Sequence, residues 1–142
     1  MKVELKHQNG FHSVISNERG HHISIDTTSS EDPQGASPME LLLMGVAGCS
    51  SIDIVSILNK QKIKPDSLHI QVDGDRIKGQ VPSLFTAIHA NVIASGDVPA
   101  DRLYRAAQLS FDKYCSVSKT LEHTATITFS VIVNDTPYEQ EE

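Results

Sequence analysis

Apolar and polar residues alternate with a period of two over the first third of the chain. Val3 and Leu5, then Phe11, Ser13 and Ile15, then Ile23 and Ile25 fall on this pattern, which predicts three short antiparallel strands. Asn9-Gly10 supplies a two-residue hairpin turn between the first two, and Glu18-Arg19-Gly20 turns the chain into the third. The segment TTSSEDPQGAS, from Thr27 to Ser37, is rich in Ser, Gly and Pro and reads as a loop. Ser37 then caps a helix, with Pro38 at its first position and Glu40 three residues on, the pattern of a capping box. This helix is expected to run to about Gln61 and to stop before Pro65. Alternation returns from Ser67 to Lys78 and from Leu84 to Ala94, predicting two long strands joined across Gly79–Ser83. Asp97-Val98-Pro99 opens a second helix, on which Leu103, Ala106, Ala107, Ser110 and Tyr114 share one face and Tyr114 is assigned to the core. Ala125, Ile127, Phe129, Val131 and Val133 mark a last strand, and residues 136–142 form an acidic tail expected to fray.

The predicted order is βββ-α-ββ-α-β. Strands grouped in this way favour an α+β fold with antiparallel sheet over a doubly wound one. Residues 1–135 read as a single domain, with neither an internal repeat nor a linker to divide them. The first helix has an unusual feature: Leu41, Leu42, Leu43, Met44, Val46 and Ala47 cover nearly every direction of its wheel. A helix apolar all round needs walls on every side, so it is expected to be central and buried, with a second subunit supplying part of the wall.

Composition narrows the setting. With 142 residues the chain is long enough to bury a core unaided, and its net charge of −6 argues against a nucleic-acid partner. MKVELKHQNG reads as a strand rather than a leader, and the apolar run Leu41–Ala47 is too short to span a bilayer. The expected compartment is therefore the reducing cytoplasm, with no membrane partner. There, cysteines are more often catalytic, metal-binding or simply buried than paired as structural disulfides.

The chain has two cysteines, Cys49 in the middle of the long helix and Cys115 at the foot of the second helical pattern. They are either inert core residues or a redox pair. On the helical wheel Gly45, Cys49, Asp53 and Ser56 form a narrow stripe of small or polar side chains, the one direction from which a backbone, ligand or polar partner can approach. A free cysteine commonly behaves as a small buried hydrophobe, and these features alone leave both readings open. The histidines are scattered and lack the spacing of a zinc site; His21 and His22, adjacent on a strand, point to opposite faces. No metal centre is expected, and no phosphate-binding glycine motif is present.

The run SPMELLLMGVAGCSSIDIVSIL, followed about sixty residues on by SFDKYCSVSKTL, resembles the OsmC/Ohr family of thiol-dependent peroxidases, and within it the YhfA-like branch. The resemblance extends over most of the chain, from about residue 1 to residue 133. It implies antiparallel sheets wrapped around a central helix in an intertwined homodimer, with active sites at the subunit interface. It implies further that Cys49 is the peroxidatic residue, attacking an organic or fatty-acid hydroperoxide, and that Cys115 is resolving. An external dithiol then restores the thiols, and no metal or organic cofactor is needed. An apolar pocket including Met39, Leu42, Phe85 and Phe111 is expected to favour organic over hydrogen peroxide. The competing expectation is a non-catalytic or weakly active member binding an apolar ligand or sensing redox state at the dimer cleft.

Family peroxidases activate the thiol with an arginine held by a glutamate, and two departures stand out here. Met39, not a glutamate, follows Pro38, and the acid is Glu40, nine residues before Cys49. No arginine lies between Arg19 and Arg76, so Arg19 is the nearest candidate cation by sequence. The candidate site is thus Cys49 and Cys115, with Glu40 and Arg19 as its possible supports.

Overall fold

The computed structural model describes residues 1–141, which gather into two compact units: Met1–Leu42 and the chain from Leu43 onward. The first unit is a three-stranded antiparallel sheet in the order β1 (Val3–Asn9), β2 (His12–Asn17), β3 (His22–Ile25). Gly10 makes the hairpin turn at φ +52° and Gly20 the next turn at φ +87°, left-handed values that glycine adopts without steric cost. The loop after β3 is organised by Asp26. Its carboxylate accepts hydrogen bonds from the Thr27 and Gln34 N–H groups, and its own N–H donates to the Ala36 carbonyl.

Helix α1 (Pro38–Lys60) starts in the last residues of this unit and continues through the second. Its N-terminus is closed as the sequence predicts: the Ser37 N–H donates to Glu40 Oε2 at 2.7 Å, and the Glu40 N–H donates to Ser37 Oγ at 3.3 Å.

The second unit holds the four-stranded sheet β4 (Ser67–Arg76), β5 (Phe85–Ser95), β6 (Thr126–Val133) and β7 (Thr136–Tyr138), in that spatial order. The sheet is mixed rather than antiparallel throughout: β4–β5 and β6–β7 are antiparallel, but β5 and β6 run parallel. The helical region between β5 and β6 makes the crossover that a parallel pair requires. The segment expected to fray from residue 136 instead opens with β7, whose Thr136 and Tyr138 pair with Val133 and Val131. Asn134 and Asp135, both at positive φ, form the tight turn that brings it back. The core lies between this sheet and the helices. Ala90, Val92, Ala94, Val131 and Val133 meet Leu103, Ala106, Ala107 and Phe111, with Val46, Ile54 and Leu58 of α1.

The predicted second helix is broken into three pieces. Helix α2 (Ala100–Leu109) passes into a π-helical turn, Ser110–Tyr114, and after Cys115 the chain starts a short helix α3 (Ser116–Leu121). The wider turn offsets the helical register. Phe111 is thereby buried against Phe129, with ring centroids 5.3 Å apart, while Tyr114 is 50% exposed rather than in the core.

Helix α1 is only partly covered by its own chain. Val46, Ser50, Ile54 and Leu58, at successive i+4 positions, are fully buried, and the buried Ser50 hydroxyl donates to the Val46 carbonyl at 2.8 Å. Leu42, Met44, Ile52 and Val55 are exposed, Ile52 by 72%. By length and hydropathy α1 matches a bilayer span, although Leu41–Ala47 alone does not. The Val46–Leu58 stripe is nonetheless sealed into a protein core.

Candidate functional site

The π turn positions Cys115. The Cys115 N–H donates to the carbonyl of Ser110 at 2.8 Å, closing the wide turn, and its backbone then becomes extended (φ −70°, ψ 100°) to begin α3. At that helix start the cysteine sulfur fills the place usually taken by a capping oxygen. Cys115 Sγ accepts hydrogen bonds from the Ser118 N–H at 3.4 Å and the Ser118 hydroxyl at 3.1 Å. The residue is fully buried, so its sulfur is fixed by backbone on one side and Ser118 on the other.

The small-residue stripe of α1 is what admits this segment. A Cβ on Gly45 would stand 3.3 Å from Val117 Cγ1, tight enough that Val117 would have to yield. One turn on, the sulfur of Cys49 approaches that of Cys115, and one turn further Asp53 Oδ2 accepts a hydrogen bond from the Ser110 hydroxyl at 2.9 Å. The ligating atoms of Cys49, Asp53 and Cys115 all lie within 4.8 Å of one another. Cys49 and Asp53 are half-buried while Cys115 is sealed, so a reagent from solvent meets Cys49 first. Beside Asp53 a cleft of about 350 Å³ opens, lined by Ser56, Ile57, Lys60, Leu109 and Tyr114.

Burial pushes the Cys115 thiol above its ordinary pKa. The Ser118 hydrogen bonds pull the other way, and the neighbouring Cys49 raises it further through hydrogen bonding and charge. The hydrogen bonds to the Cys115 sulfur itself both come from Ser118. Among the described residues, the groups that shift Cys115 are thus Ser118 and Cys49, with no cation.

The remaining sequence candidates fall elsewhere. Glu40 is engaged in the capping box, and hydrogen bonds from Ser37 hold its carboxyl below the usual range. Arg19 is exposed in the β2–β3 turn of the first unit, where its N–H donates to Asn17 Oδ1. Phe85 and Phe111 are buried in packing, Phe85 over Gly74 and Phe111 on Phe129. Asp53 lies on the stripe legible in the sequence, whereas Ser118 and the link from Ser110 come from the structure. Ser110 offered a signal as a polar residue on an apolar helical face. Ser118 offered another, three residues beyond Cys115 at the spacing of a cap.

The OsmC-like protein family model matches residues 30–130. The chain belongs to this family. It is 36% identical over 131 residues to Protein YhfA of Escherichia coli strain K12, covering 92% of this chain and 96% of that protein. Its fold is similar to the crystal structure of an OsmC-like protein from Mycoplasma pneumoniae, with a TM-score of 0.80 at 15% identity over 93% of this chain and 95% of that one. It is similar as well to the organic hydroperoxide resistance protein OhrB of Bacillus subtilis, with a TM-score of 0.67 at 15% identity over 92% and 98% of the two chains. At these identities the two structures speak to fold. The chain thus has an OsmC-like α+β fold, in a family whose structural relatives include hydroperoxide-resistance proteins.

Proposed function

We propose that the protein is a thiol-dependent peroxidase that reduces organic hydroperoxides through Cys49 and Cys115. The observation that carries this reading is the approach of the two sulfurs within 4.8 Å, the accessible one on α1 and the sealed one at the head of α3. A purely structural role does not call for two thiols to meet beside a carboxylate and an open cleft.

In the proposed cycle the Cys49 thiolate attacks the distal oxygen of ROOH. The O–O bond breaks, the alkoxide leaves as ROH with a proton, and Cys49 becomes a sulfenic acid. The Cys115 sulfur then displaces the sulfenic oxygen as water, forming the Cys49–Cys115 disulfide. An external dithiol supplies two electrons and two protons to regenerate both thiols, and a reducing cytoplasm is the compartment where such a cycle runs. A free thiol of pKa near 8.5 is only about 5% ionised at pH 7.2. The proposed cycle therefore needs a group that favours the thiolate, and a cation at a subunit interface would supply it.

A second subunit fits the same reading. The exposed apolar face of α1 and the exposed Val3, Leu5 and Ile23 of the first sheet are surfaces for a second copy of the chain. Because of this, we place the complete active site in a homodimer, where Arg19 and Glu40 of either copy remain its candidate supports.

The test is a thiol count. One equivalent of an alkyl hydroperoxide added to the reduced protein should remove two free thiols per chain within seconds to minutes. Cys49→Ser should lose none, and Cys115→Ser should stop at a sulfenic acid that dimedone traps. Retention of both thiols over hours in the wild type would refute peroxidase activity. That outcome favours a non-catalytic ligand-binding member, for which the apolar surface around Ile52 and Val55 is the observation in hand.

A further inference from the structure

We propose that the reduced Cys49–Cys115 pair, completed by Asp53, is a chelating site for a thiophilic divalent cation of the zinc class. The inference concerns the same thiols as the peroxidase reading but stands without it, because metal binding is read with no peroxide present.

Four observations point to it. The donor set is two sulfurs and a carboxylate oxygen, a combination that borderline-soft cations such as Zn²⁺ accept. The three ligating atoms already lie within 4.8 Å of one another. Tetrahedral coordination with Zn–S near 2.3 Å sets S···S at roughly 3.8 Å, so the sulfurs have to close by no more than about 1 Å.

The surroundings are those of oriented ligands. Cys115 Sγ accepts two hydrogen bonds from Ser118, an arrangement that stabilises a bound thiolate, and the Ser110 hydroxyl aims the Asp53 carboxylate through Oδ2. Finally, there is an entry path. Asp53 lines the cleft of about 350 Å³, and Cys49 is half-buried rather than sealed. The sulfurs and Asp53 supply three positions, and a water or small anion from the cleft takes the fourth.

The chemistry balances as M²⁺ plus two thiols giving a dithiolate complex and two protons. Binding and disulfide formation need the same sulfurs, so they exclude each other. A bound cation therefore masks the pair from oxidants and alkylating agents.

The experiment is a titration of the reduced, full-length protein with Zn²⁺ against a chromogenic chelator of micromolar affinity. The expected result is one Zn²⁺ held per chain, about two protons released on binding, and at least tenfold slower alkylation of Cys49. The disulfide form has the same histidines and should bind none at the same Zn²⁺ level. Cys49→Ser and Cys115→Ser should abolish binding, and Asp53→Asn should weaken it at least tenfold, with circular dichroism confirming the fold. Should Asp53→Asn misfold, Cys49→Ser carries the test, since it leaves the Asp53–Ser110 hydrogen bond in place. Failure of the reduced wild type to compete with the chelator overturns the site. So does equal binding by the oxidised protein or by Cys49→Ser, while undiminished binding by folded Asp53→Asn overturns the assignment of the carboxylate. A protein that binds Zn²⁺ but does not consume hydroperoxide would uphold this site and sink the peroxidase.

Discussion

Cys49 and Cys115 lie close together, but their sulfurs have opposite surroundings. Cys115 is sealed from solvent, its thiol held neutral by burial, while Cys49 lies half open on the small-residue stripe of α1. The sign of the Cys115 shift fixes a measurable order. A raised pKa keeps this thiol protonated through the range where a free cysteine begins to ionise near pH 8.5, so its alkylation stays slow there and accelerates only at higher pH. Iodoacetamide should therefore label Cys49 first at pH 8 to 8.5, by tenfold or more, as mass spectrometry of the two cysteine peptides would read. Ser118→Ala removes the hydroxyl that lowers the Cys115 pKa and should widen that gap. Labelling of Cys115 at the rate of Cys49 would contradict the geometry.

The elements divide between those set by local sequence and those set by packing. Helix α1 begins where Ser37 and Glu40 cap each other, a local arrangement legible in the chain itself. The break in the second helix was not legible, because residues 100–114 keep a helical apolar period. The π turn arises where Ser110, held by Asp53 of α1, and Phe111, stacked on Phe129, are both satisfied. Packing is equally visible in β4, where a Cβ on Gly74 would lie 2.5 Å from the Phe85 ring and 3.0 Å from Leu43. Gly74→Ala should accordingly destabilise the protein by about 1–3 kcal/mol in urea unfolding. Adding Phe85→Leu should restore part of that loss if the ring contact is the cause.

At the scale of the whole molecule, the proposed homodimer rests on exposed apolar surface. Ile52, Val55 and Met44 on α1, together with Val3, Leu5 and Ile23 on the first sheet, are uncovered in the single chain. Exposed apolar patches on an element can mark an interface. A homodimer is expected by light scattering at micromolar concentration, and Ile52→Lys should shift it toward monomer while leaving a folded far-ultraviolet spectrum. A wild-type protein that remains monomeric at these concentrations would remove the homodimer from the proposed site.

The sequence by itself determined the succession of strands through β6, the capped start of α1, the stripe carrying Cys49 and the family to which the chain belongs. These follow from turn chemistry, periodicity and motif wording, all properties of neighbouring residues. Only the tertiary structure decided that β5 and β6 run parallel, that residues 136–138 add a strand, and that Tyr114 turns outward. It alone brought Cys115 and Ser110 to Cys49 and Asp53. Contacts between residues more than fifty positions apart depend on how helices and strands pack, and a π turn driven by such contacts leaves no periodic trace in the chain.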